Sequence, residues 1–383
     1  MFGGNDPHAP VYEKLSKEFA DEKKIVIEDS SAVSDEAWKT KVMTSFQNGD
    51  EPDVLYYFTG AAAKPLIDEN KVVPVAEIQN EVAKYGANIN SAYSNPYCVT
   101  LKGMVEGMFV NTSLFTDDLA TYLEKDSWTW DEFMDISTKL NAKEVTPVAL
   151  GAIDIPHYWI EHAILAKNGP EAFKKIPTEA EFKEADGTKG KAADGWIDAL
   201  KLFNVAAEAN VFGTTKGDQN NESATQSFLD GKSAMYIDGS WFAGSIKDTT
   251  KATPSNVKMY PFPTFADKDG NHTVYTQSGF TSGFYITRKA WENPAKKQLA
   301  IDFVLKQTSA AAIKDYCVAA FGIPADESVK LDNLTALQQS MVDLLTRTKA
   351  NTTLPLSDQS AAGSFADLVS ASNYFLKADL NQI

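Results

Sequence analysis

Apolar positions along this chain switch repeatedly between two periods: the 3.6-residue repeat of an amphipathic helix and the short runs of a strand. Val11, Leu15 and Phe19 follow Pro10 at i, i+4 and i+8, which places them on one helical face. Lys24 to Glu28 reads as a short strand. Ser34 fits an N-cap ahead of the acids Asp35 and Glu36, and Trp38, Val42 and Phe46 continue a helix until Gly49 stops it. Val54 to Phe58 is then an apolar strand ending at Thr59-Gly60. This β-α-β-α opening predicts an α/β fold, with mostly parallel sheets flanked by helices.

The alternation continues through the rest of the chain. Strand candidates lie around Val99 and over Met108 to Val110. Thr129-Trp130-Asp131-Glu132 is a capping box opening a helix with Phe133, Ile136 and Leu140 inside. Val148 to Leu150 leads through the loop Gly151 to Pro156 into His157-Tyr158-Trp159. A polar interruption from Gly187 to Gly195 precedes a helix with Trp196, Leu200 and Val205. In FLDGKSAMYIDGSW (228–241) a helix ends, Asp230-Gly231 turns, and Ser233 to Ile237 forms a buried strand. Asp238-Gly239-Ser240 breaks that strand and delivers Trp241 just past its end. Phe46 to Gly60 has the same build and releases Tyr57 and Phe58. Ligands bind beyond the carboxyl ends of strands in open α/β sheets, so these two units are expected to form the walls of one cleft. Further on, Asp267 to Asn271 reads as a hairpin tip, and Gln277 to Gly283 leads into the strand Phe284 to Ile286. Asn293-Pro294 opens a helix with Leu299 and Phe303. A second helix around Ile313 ends by Gly322, and Ala361 to Leu376 reads as a last one.

At 383 residues the chain is too long for one ordinary core, and two domains are the default. Its 36 basic against 52 acidic side chains give a net charge of −16, spread along the chain. That argues against a nucleic-acid partner, which needs clustered Lys and Arg. Arg288 and Arg347 are the only arginines. Arginine is the preferred bidentate partner of carboxylates and phosphates, so its scarcity tilts the reading towards an uncharged ligand. Cys98 and Cys317 read as two buried thiols, with no metal-site spacing. No run approaches the ~20 apolar residues of a membrane helix, so no insertion by this chain itself is expected, and no signal peptide is present.

Catalytic readings fail in turn. His157 and His162 are five apart with Glu161 between them, whereas a zinc helix needs i, i+4 spacing. They read as incidental histidines of a surface helix. Ser240 and Ser282 lack the Gly-x-Ser-x-Gly context of a nucleophile elbow. The loop at 267–271 lacks the closing Glu of a calcium site, and no Walker or dinucleotide-binding motif occurs. No catalytic residue, metal or cofactor is expected.

What remains is aromatic rings at strand ends and loops: Trp38, Tyr57, Phe58, Tyr158, Trp159, Trp241, Phe280 and Phe321. A sugar offers a C–H face that such rings cover and a rim of hydroxyls that needs polar partners. Asp6, Asp35, Asp154, Asp238, Gln277 and Asp358 are the nearby candidates. Most aromatics are core residues, and Trp38 at helical spacing is the clearest such case. Asp238 serves equally well as a cap of its own turn.

NGDEPDVLYYF (48–58), GMVEGMFVNTSLF (103–115), TWDEFMDISTKL (129–140), FLDGKSAMYIDGSW (228–241) and AKKQLAIDFVLKQ (295–307) together resemble the extracellular solute-binding proteins of bacterial ABC importers, of the maltose-binding type. The resemblance implies a two-lobed periplasmic-binding-protein fold. One lobe would hold 1–111 and 281–324, the other 112–280 and 325–383, with linkers near 111, 279–282 and 324. It also implies sugar-stacking aromatics at Trp241 and Tyr158-Trp159, and polar contacts at Asn5-Asp6. The partners would be a carbohydrate, expected to be an oligosaccharide, and the transmembrane permease subunits. The chain would be a monomer outside the cell or in the periplasm, with a lipid anchor upstream of Met1 as one arrangement. Two alternatives stay open: a binding protein for a peptide, polyamine or phosphorylated solute, and a glycoside-acting enzyme.

Overall fold

The computed structural model describes residues 1–4, 6–89, 95–153, 155–173, 193–213 and 219–359. The helix expected over 361–376 lies outside them. The chain divides into two compact units: 1–104, 279–333 and 358–363 in unit 1, and 105–278, 334–357 and 364–383 in unit 2.

Unit 1 begins with α1 (Ala9–Lys23), with Pro10 in its first turn. In α2 (Glu36–Asn48), Asp35 caps the N-terminus by accepting Trp38 N, and Gly49 closes the other end at φ 76. β1 (Val54–Phe58), α3 (Lys64–Asp68) and α4 (Val75–Val82) follow. The chain returns to this unit as β7 (Ser282–Ile286), α9 (Arg288–Glu292), α10 (Pro294–Gln307), α11 (Ala310–Ala319) and β8 (Ile323–Pro324). Its cores gather Phe2, Tyr56, Phe284 and Tyr316 in one cluster, and Trp38, Phe46, Tyr57 and Leu66 in another.

Unit 2 holds most of β2 (Lys102–Asn111), then α5 (Trp130–Ala142) with both halves of the expected capping box, and β3 (Thr146–Ala149). α6 (His157–Phe173) is broken at Gly169, where φ is 75. α7 (Ala193–Glu208), α8 (Asn221–Leu229), β4 (Ser233–Gly239), β5 (Val257–Tyr260) and β6 (Thr276–Gly279) follow. The late segments α12 (Ala336–Thr348), β9 (Thr352–Thr353) and α13 (Leu356–Gln359) complete the described part. Its core packs Met108, Val110 and Ile237 against Trp128, Phe133, Trp159, Phe203, Phe212 and Phe262.

The α/β class holds, but the sheets are mixed rather than mostly parallel. β1–β7, β2–β4, β2–β5 and β2–β8 pair antiparallel, and β3–β4 and β6–β9 pair parallel. A parallel neighbour requires a crossover, usually helical. β2 is entered from the loop after Tyr97, and β7 follows β6 after two residues, so neither direction is set by a crossover helix. The expected strand Lys24 to Glu28 is also corrected. Lys24 turns left-handed at φ 56, and the extended residues after it have no ladder partner among the described residues. Extended backbone without a partner is not a strand.

Candidate functional site

In unit 2, Trp241 lies where the sequence pattern puts it, in the turn of 3-10 helix just past β4. The indole is half-buried and packs against Gly239, so close that a Cβ there would fall 2.1 Å from the ring. Tyr158, half-buried in the first turn of α6, has its ring centroid 6.3 Å from that of Trp241 and 4.2 Å from that of His157. Asp238 is 5% exposed and accepts its neighbour Gly239 N at 2.7 Å. Burial pushes its carboxyl up to about 7, against hydrogen bonds from Gly239 N, Tyr236 and Trp241 that favour the ionised form. Asp238 therefore both caps its own turn and holds the indole.

Trp159 is separated from Tyr158 by the helical turn. It is fully enclosed, with Phe212 at 4.9 Å and Phe262 at 5.0 Å between centroids, and it packs the core. Adjacent residues on a helix diverge by ~100°, so only one of the pair can face a ligand surface. The helix itself is not a surface helix, which corrects the reading of its histidines as incidental. His157, Glu161 and His162 are all buried. Glu161 accepts Leu356 N at 2.9 Å and Ser357 N at 3.1 Å. His162 Nδ1 lies 2.8 Å from the Tyr158 carbonyl oxygen and 2.9 Å from the fully buried Gln277 carboxamide. Burial lowers the His162 pKa to about 4, so the ring is neutral at ordinary pH.

Unit 1 carries a polar cluster around Lys102. Asp6 Oδ1 accepts His8 N at 2.8 Å and lies 2.8 Å from His8 Nδ1. Burial works to raise the Asp6 pKa, yet the bond to His8 and the charges of His8 and Lys102 hold it below the usual range. Burial lowers the Lys102 ammonium, opposed by Asp6 and Asp358. Burial raises Asp358, opposed by a hydrogen bond from Thr281 and by Lys39 and Lys102. The Lys102 charge thus acts on both Asp6 and Asp358, and the Lys39 charge on Asp358 as well.

The remaining predicted residues of unit 1 are packed otherwise. Trp38 packs with its ring centroid 5.2 Å from that of Tyr57, tilted, and 6.5 Å from that of Phe58, edge-on, all three being buried. The Lys39 ammonium lies 4.6 Å over the Phe58 ring. Asp35 is exposed and caps α2. Phe280 is half-buried against Gly103, where a Cβ would meet its ring at 3.2 Å, and Phe321 is buried. Asn5 and Asp154 lie outside the described residues.

Sequence reasoning missed Lys102, His8 and Glu106, and read Glu161 only as part of a failed zinc pattern. Glu106, 2% exposed, interrupts the otherwise apolar strand that Lys102 opens, which is a legible sign of a buried charge needing a partner. Glu161 left no comparable sign, because a single acid in a helix is ordinarily solvated. Among the described residues no His, Cys, Asp or Glu cluster could hold a metal, and no helix is long and apolar enough to cross a membrane. Cys98 and Cys317 are separate buried thiols, both pushed up to about 12 by burial.

Residues 5–312 match the sequence pattern of the bacterial extracellular solute-binding proteins. Among solved structures, a chitin oligosaccharide binding protein superposes with a TM-score of 0.79 at 21% identity, over 96% of this chain and 89% of that one. The solute-binding protein RafE in complex with raffinose gives 0.73 at 16% identity, over 98% and 94%. The maltose-maltodextrin binding protein of Alicyclobacillus acidocaldarius gives 0.67 at 17%, over 100% and 94%. No curated protein matches the sequence. At these identities the structural likeness speaks for the two-lobed fold.

Proposed function

The chain belongs to the bacterial extracellular solute-binding proteins, and on that premise we propose that it captures an oligosaccharide for a membrane importer. The observation that carries this reading is the half-buried indole of Trp241, packed against Gly239, held by Asp238 and neighboured by Tyr158. Such a surface suits the C–H face of a pyranose ring, and Asp238 brings a hydrogen-bonding group to its edge. In unit 1, Asp6, Lys102 and Asp358 supply donors and acceptors for hydroxyls. Lys39 adds a second ammonium to set against the two carboxylates, so the cluster does not call for a charged solute. The two arginines are engaged elsewhere: Arg288 grips Glu77 at 2.9 and 3.0 Å, and Arg347 lies 3.6 Å from Asp126.

The mechanism is population shift. The solute favours the arrangement in which both lobes contact it, and the permease subunits recognise that closed form. The protein acts as a monomer outside the cell membrane, and no bond is made or broken. The chitin oligosaccharide, raffinose and maltodextrin bound by the structural relatives support a sugar as the solute class.

Thermal shift against mono- and oligosaccharides, peptides, polyamines and amino acids tests this. A solute at ~100 Kd stabilises a fold by ~2.7 kcal/mol. One oligosaccharide series is expected to raise the melt, and Trp241→Ala to abolish the rise. A shift by charged solutes alone would overturn the sugar assignment, and consumption of a sugar would overturn the binding-protein reading.

A further inference from the structure

We propose that Glu161 and His162, neighbours on α6, are positioning residues that hold two exits of the chain from unit 2 and so set how readily the lobes close. This rests on the two-lobe reading above. The exits are the steps from Ser278 to Gly279 and from Ser357 to Asp358. They run side by side, because β6 and β9 pair in parallel with Thr276 opposite Thr352 and Gln277 opposite Thr353. α6 reaches both. Glu161, 1% exposed, takes Leu356 N on one carboxylate oxygen and Ser357 N on the other, at 2.9 and 3.1 Å. His162, 2% exposed, lies through Nδ1 2.9 Å from the Gln277 carboxamide, two residues before the other exit. Gly279, the first residue beyond that exit, has φ 148, a conformation that residues with a side chain avoid.

A buried carboxylate is a heavy device for capping the four residues of α13, since an ion removed from water is penalised unless fully compensated. Its position explains it better. The same helix carries Tyr158 one turn earlier, and the Tyr158 carbonyl oxygen lies 2.8 Å from His162 Nδ1. One rigid turn therefore joins the aromatic wall to both exits. A solute pressing on Tyr158 and Trp241 acts on the helix that fixes where the chain leaves the unit.

Hydrogen exchange and small-angle scattering on the solute-free protein test this, so the result does not depend on which solute binds. Wild type is compared with Glu161→Ala, Glu161→Gln and His162→Ala. Glu161→Ala is expected to speed exchange of the Leu356 and Ser357 amides at least tenfold, to extend that effect to 276–282, and to change the radius of gyration. Glu161→Gln keeps one acceptor oxygen and should lie between, and His162→Ala should act first at 276–279. The β4 amides serve as the reference for folding. Acceleration confined to Leu356 and Ser357 with unchanged scattering would make Glu161 a simple cap and overturn the proposal. So would acceleration of β4 to the same degree in Glu161→Gln, which would report general destabilisation.

Discussion

Asp238 serves two ends that oppose each other. Its burial disfavours the charge, while Gly239 N and the Tyr236 and Trp241 side chains favour it, and burial prevails. The carboxyl titrates at about 7 in the fold against 3.8 in an unfolded chain. The folded state therefore binds this proton more tightly, so the stabilisation is full below about pH 4 and is lost as pH rises through 7. His162 and His8 have the opposite sign: burial lowers both from 6.5 to about 4, so stability falls as pH drops through that window. Comparing Asp238→Asn with wild type by urea unfolding separates the two. The amide accepts Gly239 N but cannot ionise, so its advantage over wild type should grow from pH 4 to pH 8, by ~4 kcal/mol at most at 1.36 per pH unit. The variant's loss of stability on acidification should also be steeper. A difference that does not vary with pH would show that Asp238 titrates normally.

The turn after β4 joins backbone to ligand surface, and Gly239 is its critical member. Its backbone is extended, so alanine fits the conformation, but the added Cβ would occupy the place of the indole. Gly239→Ala should displace Trp241, altering tryptophan fluorescence and near-UV circular dichroism of the solute-free protein. Affinity for any oligosaccharide that stabilises wild type should fall at least tenfold. Unchanged spectra would mean that the indole is not seated on Gly239. This element was legible because Asp-Gly-Ser breaks an apolar strand and leaves a large ring at its end. Tyr158 and Trp159 could not be told apart in the same way. The phase of α6 depends on where its first turn begins, and the preceding loop does not fix that. Tyr57 and Phe58 end the analogous strand β1 in unit 1, yet they pack at tilted and edge-on angles with Trp38 of α2 inside one buried cluster. Lys24 to Glu28 shows the converse: alternation gives a strand its pattern, but only a partner gives it a ladder.

At the scale of the whole molecule, pattern gives the α/β class and two domains, but not that each unit is assembled from separated segments. Periodicity is local, whereas the assignment of α12 to unit 2 depends on contacts with strands far back in the sequence. α12 buries Leu337, Met341 and Leu344, Ser340 Oγ accepts Met259 N of β5 at 2.8 Å, and Leu337 N donates to Pro254 O at 3.2 Å. Beyond it, β9 pairs with β6, and the Leu356 and Ser357 amides meet Glu161. A chain ending at Asn333 would lose all of these. Burial of three such apolar side chains contributes ~5–9 kcal/mol, comparable to the ~5–15 kcal/mol that holds a typical fold together, and a buried carboxylate would be left without its two amides. Unit 1 keeps residues 1–104 and 279–333 in that chain, including its aromatic cores. Limited proteolysis followed by mass spectrometry should therefore find rapid cleavage within 105–278 while unit 1 resists. Equal resistance of both units would mean that unit 2 is stable without its late segments. Equal loss of both would mean that the units fold only together, and that the discontinuous chain, rather than either core, sets the cooperative unit.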